Sequence, residues 1–369
     1  MLAWMHVGDL HAANEDDWAS LDALTAIAGE ARTLGPALDF VYLPGDIANH
    51  GEAEQYRRVV AALAASPQRK FAIPGDHDFE PGDLHAFHSG LAGFDRTPRL
   101  RLDHGGCRCL FLDVVSAGSG GPDFRLDPGQ RAWLQAELVA AREARLKPVV
   151  FMHAFPGDLA DGDDLARAFA LNEVAFVDTG HTHYNELLND GRVIYGATRS
   201  TGQVDEGDVG YSLHVVDAEA VSWRFKPVGA PFPFVMITSP GDRRMVVRPA
   251  TQSPDGPFTV RARVFGARHD ANVSLVIDAH RAQPMRPAAG EPGVWSADAS
   301  ALRPGRHALR VTAMQDGEAD SDEIEIDVGW QDSAPVRGRP GDHSASIGAW
   351  PAHGLMGTRL GPNANGTKW

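Results

Sequence analysis

Cysteine is almost missing from this chain: 369 residues contain two, Cys107 and Cys109. That scarcity excludes a disulfide framework and a cysteine-rich zinc module. As alternate residues of one apolar run, the two are expected to face opposite sides of a strand, a poor geometry for a disulfide, and to stay reduced and structural. Long hydrophobic runs are missing too. No stretch approaches the ~18 apolar residues of a membrane-spanning helix. The opening Met1-Leu2-Ala3-Trp4-Met5-His6-Val7 has neither the basic region nor the long apolar region of a secretory signal, so a cytoplasmic location is expected. Positive charge is in short supply, with 34 Lys and Arg against 49 Asp and Glu and a net charge of -15. Nucleic acid polymers and anionic membranes both demand a basic face, so neither is expected as a partner. What is present is ordinary for a folded soluble protein: 43% hydrophobic and 22% charged residues, over a length that suits two domains and a tail.

The first 230 residues alternate short apolar runs with amphipathic stretches. Leu2–Val7, Phe40–Leu43, Phe71–Ile73, Cys109–Val115, Val149–Met152 and Ala175–Val177 read as buried strands. Between them Asp17–Leu34, Glu52–Ala65, Pro128–Arg145 and Asp163–Phe169 carry apolar residues at helical spacing, which predicts an α/β layered domain. Strands at Val193–Tyr195, Tyr211–Val216 and Val221–Phe225 follow without helices, so one sheet should end in antiparallel strands. Pro227, Pro231 and Pro233 mark a linker. From about 231 to 330 the chain turns to short alternating runs broken by Pro and Gly, the pattern of a small β-sandwich of immunoglobulin-like type. Residues 331–369 are rich in Gly, Pro, Asn and Ser, yet Trp350, Leu355, Met356, Leu360 and Trp369 offer anchors, and a docked tail is expected.

Five short motifs each follow an apolar run: Gly8-Asp9-Leu10-His11, Gly45-Asp46, Gly75-Asp76-His77-Asp78, His153, and Gly180-His181-Thr182-His183. Loops at the carboxyl ends of strands in an α/β sheet converge on one crevice, so separated motifs can build one site. Carboxylate oxygen together with imidazole nitrogen suits transition ions, whereas magnesium or calcium alone would favour all-oxygen donors. Asp9 and His11, and likewise His181 and His183, lie two apart, so an extended chain should aim each pair to one side. Alone, every motif has a plainer explanation as a helix cap, a turn or a hydrogen-bonded histidine. Their joint order, each at a strand end and each bearing ligand-type side chains, outweighs it.

In that order the motifs resemble the calcineurin-like metallophosphoesterase superfamily, over about residues 1 to 225. The resemblance implies two β-sheets packed face to face with helices outside, and two transition metal ions (Mn, Fe or Zn). It implies that Asp9, His11 and His183 hold one ion, that Asp46 bridges, and that Asp76, His153 and His181 hold the second. His77 would be the general acid near the leaving group, and Asp78 would orient it. Asp76 departs from the family pattern, which has Asn there. The implied activity is hydrolysis of phosphate diesters by a metal-bridging hydroxide, nearest in look to bacterial cyclic-nucleotide and glycerophosphodiester phosphodiesterases. The alternatives are a phosphomonoesterase or nucleotidase, or a non-catalytic binding protein on the same fold. His50 either faces the substrate or belongs to a helix start capped by Asn49. Arg199 either clamps a phosphate oxygen or forms a surface salt bridge. The expected partner is a small-molecule phosphate ester, and self-association into a homo-oligomer stays open.

Overall fold

The computed structural model describes residues 1–14, 20–96, 99–118, 123–329 and 345–357. Its first half contains twelve strands: β1 (Leu2–His6), β2 (Phe40–Leu43), β3 (Arg69–Ala72), β4 (Asp95–Arg96), β5 (Leu100–His104), β6 (Cys107–Phe111), β7 (Lys147–Phe151), β8 (Phe176–Thr179), β9 (Glu186–Asn189), β10 (Ile194–Ala197), β11 (Gly210–Asp217) and β12 (Ala220–Pro227). They form two six-stranded mixed sheets, ordered β12-β11-β1-β2-β3-β4 and β5-β6-β7-β8-β10-β9. Strands β1 to β3 run parallel, as do β6 to β8, while β11 and β12 pair antiparallel as expected.

Every residue of β1 is buried because both faces of its sheet are covered. Leu2 and Trp4 point into the core between the sheets, where Phe40, Phe71, Phe111, Phe151 and Phe176 meet them. Ala3 and Met5 point the other way, under helices α1 (Ser20–Leu34) and α2 (Ala53–Ala62). The buried residues of α1, Leu24, Ile27, Ala28, Ala31 and Leu34, recur every three or four positions, which makes one apolar stripe facing the sheet. A short α3 (His85–Gly90) follows. On the second sheet α4 (Pro128–Glu143) and α5 (Gly162–Leu171) do the same. Asp127 caps α4 by accepting from the Gly129 and Gln130 amides. The order of layers is helix, sheet, sheet, helix.

Cys107 and Cys109 are free thiols, and both lie in the core between the sheets. The expectation that they face opposite sides is wrong: side chains repeat every two residues along a strand, so this pair shares a face. Burial pushes the Cys107 thiol up to about 11.

Two four-stranded antiparallel sheets follow. One is built from β13 (Phe234–Ser239), β14 (Phe258–Phe265), β18 (Val294–Ala299) and β17 (Arg286–Pro287), the other from β16 (Gln283–Pro284), β15 (Asn272–Ile277), β19 (Gly305–Gln315) and β20 (Glu318–Val328). Their facing side chains, Val260, Trp295, Val311 and Ile324 among them, form one apolar cluster that continues through Trp223 and Phe225 of β12 into the core of the first half. The second unit therefore shares a core with the edge of the first sheet.

Among the described residues of the tail, Ala345, Trp350, His353 and Leu355 are buried. Ile347 donates to the Leu187 carbonyl of β9, and the His353 ring bridges the Trp223 carbonyl (3.0 Å) and Asp322 (2.7 Å). Met356, read as an anchor, is 47% exposed; Leu360 and Trp369 lie outside the described residues.

Candidate metal centre

The five motifs leave the carboxyl ends of β1, β2, β3, β7 and β8, three from one sheet and two from the other. The sheets face each other, so these ends open onto one crevice. Two donor groups form there. Asp46, Asp76, His153 and His181 place one ligand atom each within 4.8 Å of the others, and so do His11, Asp46 and His183. Asp46 belongs to both.

Backbone conformation separates the donors. His11, Asp46, His181 and His183 have φ of 44°, 47°, 69° and 62°, four of the ten non-glycine residues in the left-handed region among those described. Such strain concentrates at functional sites. For His181 and His183 it also corrects the expectation that an extended chain aims the pair to one side. His181 joins Asp76 and His153, whereas His183 joins His11, because the chain turns sharply between them. Close backbone approach needs glycine next door: a Cβ on Gly75 would lie 2.2 Å from Asp46 Oδ1 and 2.3 Å from its amide nitrogen.

Two of the histidines, His153 and His183, are oriented from behind. His153 is fully buried and gives its Nδ1–H to the Pro44 carbonyl at 2.8 Å, which leaves Nε2 toward Asp76 Oδ1 (3.1 Å) and Asp46 Oδ2 (3.6 Å). That tautomer, fixed by an outer carbonyl, is the one a metal needs. His183 Nδ1 lies 3.5 Å from Asp205, and its Nε2 faces Nε2 of His11 at 2.9 Å. The Phe124 ring stands edge-on against His181.

The charge balance fits a cation. Asp9 is fully buried, and its Oδ1 accepts from the His181 amide while Oδ2 has no protein partner. A buried, unpartnered carboxylate oxygen is costly unless an ion completes it. Burial and Asp76 push the Asp46 carboxyl up, yet His153 and His11 hold it down at about 2. Burial likewise opposes ionisation of Asp76, but His153 and His181 keep it far below the carboxylate range. Three carboxylates and four imidazole rings form a donor set suited to borderline transition ions.

His77 stands edge-on to His11, with ring centroids 4.6 Å apart. Its Nδ1 donates to the Asn49 carbonyl at 2.9 Å and lies 3.1 Å from Glu80 Oε1. Burial lowers its pKa, but Asp46, the Asn49 carbonyl, Asp76 and Glu80 outweigh burial and raise it.

Three sequence readings need correction. Asp78 does not touch His77. Its buried carboxylate accepts from the Gly75 and Ala48 amides (2.9 and 3.0 Å), from Ile47 at 3.3 Å and from the Tyr56 hydroxyl at 2.8 Å. His77–Phe79 is a 3₁₀ turn; consecutive side chains there point about 120° apart, and residues three apart eclipse. The partner of His77 is therefore Glu80. Burial, with help from Asp46, pushes the Asp78 carboxyl up to about 7 despite those hydrogen bonds. His50 has both ring nitrogens engaged inside the protein, Nδ1 on Glu80 at 2.7 Å and Nε2 on the Asn49 amide at 3.0 Å, so neither is left for a substrate. Asn49 is no helix cap either: α2 starts one turn later, with Glu52 at its N-cap. Arg199 is 4% exposed. It lies over the Phe225 ring (4.0 Å) and donates to the Glu206 and Gly354 carbonyls. It is neither a phosphate clamp nor a surface ion pair.

The sequence reading missed Glu80, Asp205 and the carbonyls of Pro44 and Asn49. Glu80 left a signal, the i to i+3 spacing from His77; the others did not, since loop packing brings them in. A third cluster, His6, Asp178 and His214, lies buried beneath the crevice. Asp178 binds Trp4 Nε1 at 2.6 Å and His6 Nδ1 at 2.7 Å, which joins β1 to β8 across the core.

Residues 4–185 match the family model described as Calcineurin-like phosphoesterase. Among solved structures, purple acid phosphatase PPD1 from yellow lupin (Lupinus luteus) seeds is similar, with 14% identity, over 63% of this chain and 52% of its own, at a TM-score of 0.50. A dimetal phosphatase from Danio rerio has 12% identity over 61% of this chain and 96% of its own, at 0.49. GAP50, the anchor in the inner membrane complex of Plasmodium, has 14% identity over 62% and 85%, at 0.47. At such identities the likeness to the lupin phosphatase concerns the fold alone. No curated protein sequence matches the chain.

Proposed function

We propose, from the premise that the N-terminal domain of this chain belongs to the calcineurin-like phosphoesterase family, that the protein is a metal-dependent hydrolase of phosphate diesters. One observation carries this reading: a single buried carboxylate, Asp46, is common to two adjacent donor groups. Asp9, His11 and His183 would complete one ion beside it, and Asp76, His153 and His181 the other. Two transition ions there would supply Lewis-acid charge, making water acidic enough to attack near neutral pH and neutralising phosphoryl oxygens.

The chain's own residues do the rest. His77 has its Nδ1–H fixed by the Asn49 carbonyl, so its other nitrogen is the one able to give a proton to the leaving oxygen, a contribution of about 10² to 10⁴ in rate. Asp78 ties the two amides that follow Asp46 to that of Gly75 and keeps the shared carboxylate in register. The preference for diesters rests on Asp76. A third ligand carboxylate removes one unit of positive charge from the loaded site, which weakens attraction for a dianionic monoester more than for a monoanionic diester, because the interaction scales with the product of charges.

Protein reconstituted with Mn, Fe or Zn should cleave bis(p-nitrophenyl) phosphate with a higher kcat/KM than p-nitrophenyl phosphate. Faster monoester cleavage would reverse the specificity. Asp46→Ala should lose both ions and nearly all turnover; retained activity would move the site elsewhere.

A further inference from the structure

We propose that Glu80, steadied by His50, is the positioning residue for His77, taking the role the resemblance gives to Asp78. This rests on the phosphoesterase reading above, in which His77 serves the leaving group. The turn His77–Phe79 brings residue 80 back over residue 77, so the Glu80 carboxylate reaches the Nδ1 edge of the His77 ring. Its two oxygens are divided: Oε1 lies 3.1 Å from His77 Nδ1 and Oε2 lies 2.7 Å from His50 Nδ1.

The hydrogen-bond directions are consistent around the cluster. The Asn49 side-chain amide donates to His50 Nε2, so neutral His50 carries its proton on Nδ1 and donates to Glu80. Glu80 is then held with its second oxygen aimed at His77. The Asn49 carbonyl meets the same His77 Nδ1–H at 2.9 Å. The hydrogen bond to the Asn49 carbonyl fixes the tautomer, the Glu80 carboxylate at 3.1 Å holds the same nitrogen by charge, and the opposite nitrogen stays available to the substrate.

Stability does not account for the cluster. The side chains of His50 and Glu80 are 56% and 43% exposed, and exposed pairs of this kind stabilise little. Asp78, by contrast, is buried and its acceptor capacity is spent on backbone amides and Tyr56. Two carboxylates two residues apart thus divide the work, one building the loop and the other aiming the acid.

The experiment uses a series of methyl aryl phosphate diesters whose leaving phenols range from p-nitrophenol to phenol, with parent, Glu80→Ala, Glu80→Gln and His50→Ala. A well-aimed acid makes the rate nearly independent of the leaving group. Glu80→Ala should lose about 10- to 100-fold on the phenol ester, the range for outer partners of site histidines, and little on the p-nitrophenol ester, whose leaving group needs no proton. Glu80→Gln, which keeps an acceptor oxygen, should recover part of the loss, and His50→Ala should show a smaller steepening. A Glu80→Ala slope equal to the parent's, or no recovery in Glu80→Gln, overturns the assignment. In the metal-free protein the His77 Nδ1–H proton should exchange with water faster in Glu80→Ala than in the parent; unchanged exchange also overturns it. A parent that cleaves none of the esters defeats the phosphoesterase reading instead, and the exchange measurement still decides the positioning.

Discussion

Asp76 is where the chain differs from the pattern its motifs otherwise follow, and its oxygen lies 3.1 Å from His153 and 3.4 Å from His181. Replacing it by Asn keeps an oxygen donor and removes one negative charge. Asp76→Asn should therefore bind one ion more weakly in a metal titration and shift the diester-to-monoester ratio of kcat/KM toward monoesters. A ratio identical to the parent's would mean that Asp76 carries no charge at the loaded site. Asp78 makes a different prediction. Its loss strands buried amides of Ile47, Ala48 and Gly75, each worth about 1–3 kcal/mol when left unsatisfied. Asp78→Ala should cost roughly 3 kcal/mol in denaturant unfolding and lower metal occupancy without steepening the leaving-group dependence. If it steepens that dependence with stability intact, Asp78 acts on His77 after all.

The elements explain why single residues have such reach. The loops after β2 and β3 touch backbone to side chain, with the Asp46 carboxylate against the Gly75 Cα and accepting from the His77 amide at 2.9 Å. Gly75→Ala inserts a methyl group where Asp46 sits, so either loop must move. Metal content should fall sharply in Gly75→Ala while the fold persists; full occupancy would show that the loops yield at no cost. Beneath these loops Asp178 joins β8 to Trp4 and His6 of β1 in a fully buried network, so the two strands that lead to Asp9 and to His181 are tied directly below the crevice. The sequence made the main strands readable because their apolar runs are continuous. It hid β5, whose Leu-Arg-Leu-Asp-His is a half-exposed edge, and β9, whose Glu-Leu-Leu-Asn is too short for a period.

At the scale of the whole molecule, the tail joins parts that are distant in the chain. His353 binds Asp322 of β20 and the Trp223 carbonyl of β12, Gly354 accepts from Asn185 and Arg199, and Arg244 lies over Trp350. Truncation from Gly348 onward should lower the melting temperature, through the loss of about 3 kcal/mol of buried Trp350 and Leu355 alone; an unchanged melt would make the tail incidental. Burial pushes the Asp322 carboxyl up, but His353, Arg224 and the Ile237 amide outweigh burial and hold it below the usual range. A depressed carboxylate stabilises the fold fully above its unfolded value of about 3.9 and loses that contribution as pH falls through the folded value. The melting difference between parent and Asp322→Asn should accordingly be large near pH 7 and close below about pH 4; a difference independent of pH would place the effect elsewhere. By itself the sequence determined the layered α/β class, because strand and helix periods are local; its motif order, through the family it resembles, pointed to the two-sheet core and to the six side chains that the structure gathers into two donor groups, His11, Asp46, Asp76, His153, His181 and His183. Only the tertiary structure decided which candidate donors lie together, that Asp78 builds a loop while Glu80 meets His77, that Arg199 serves the tail, and that the two cysteines share a face of the core. Those outcomes depend on left-handed turns and on loops meeting across two sheets, and neither leaves a period in the chain.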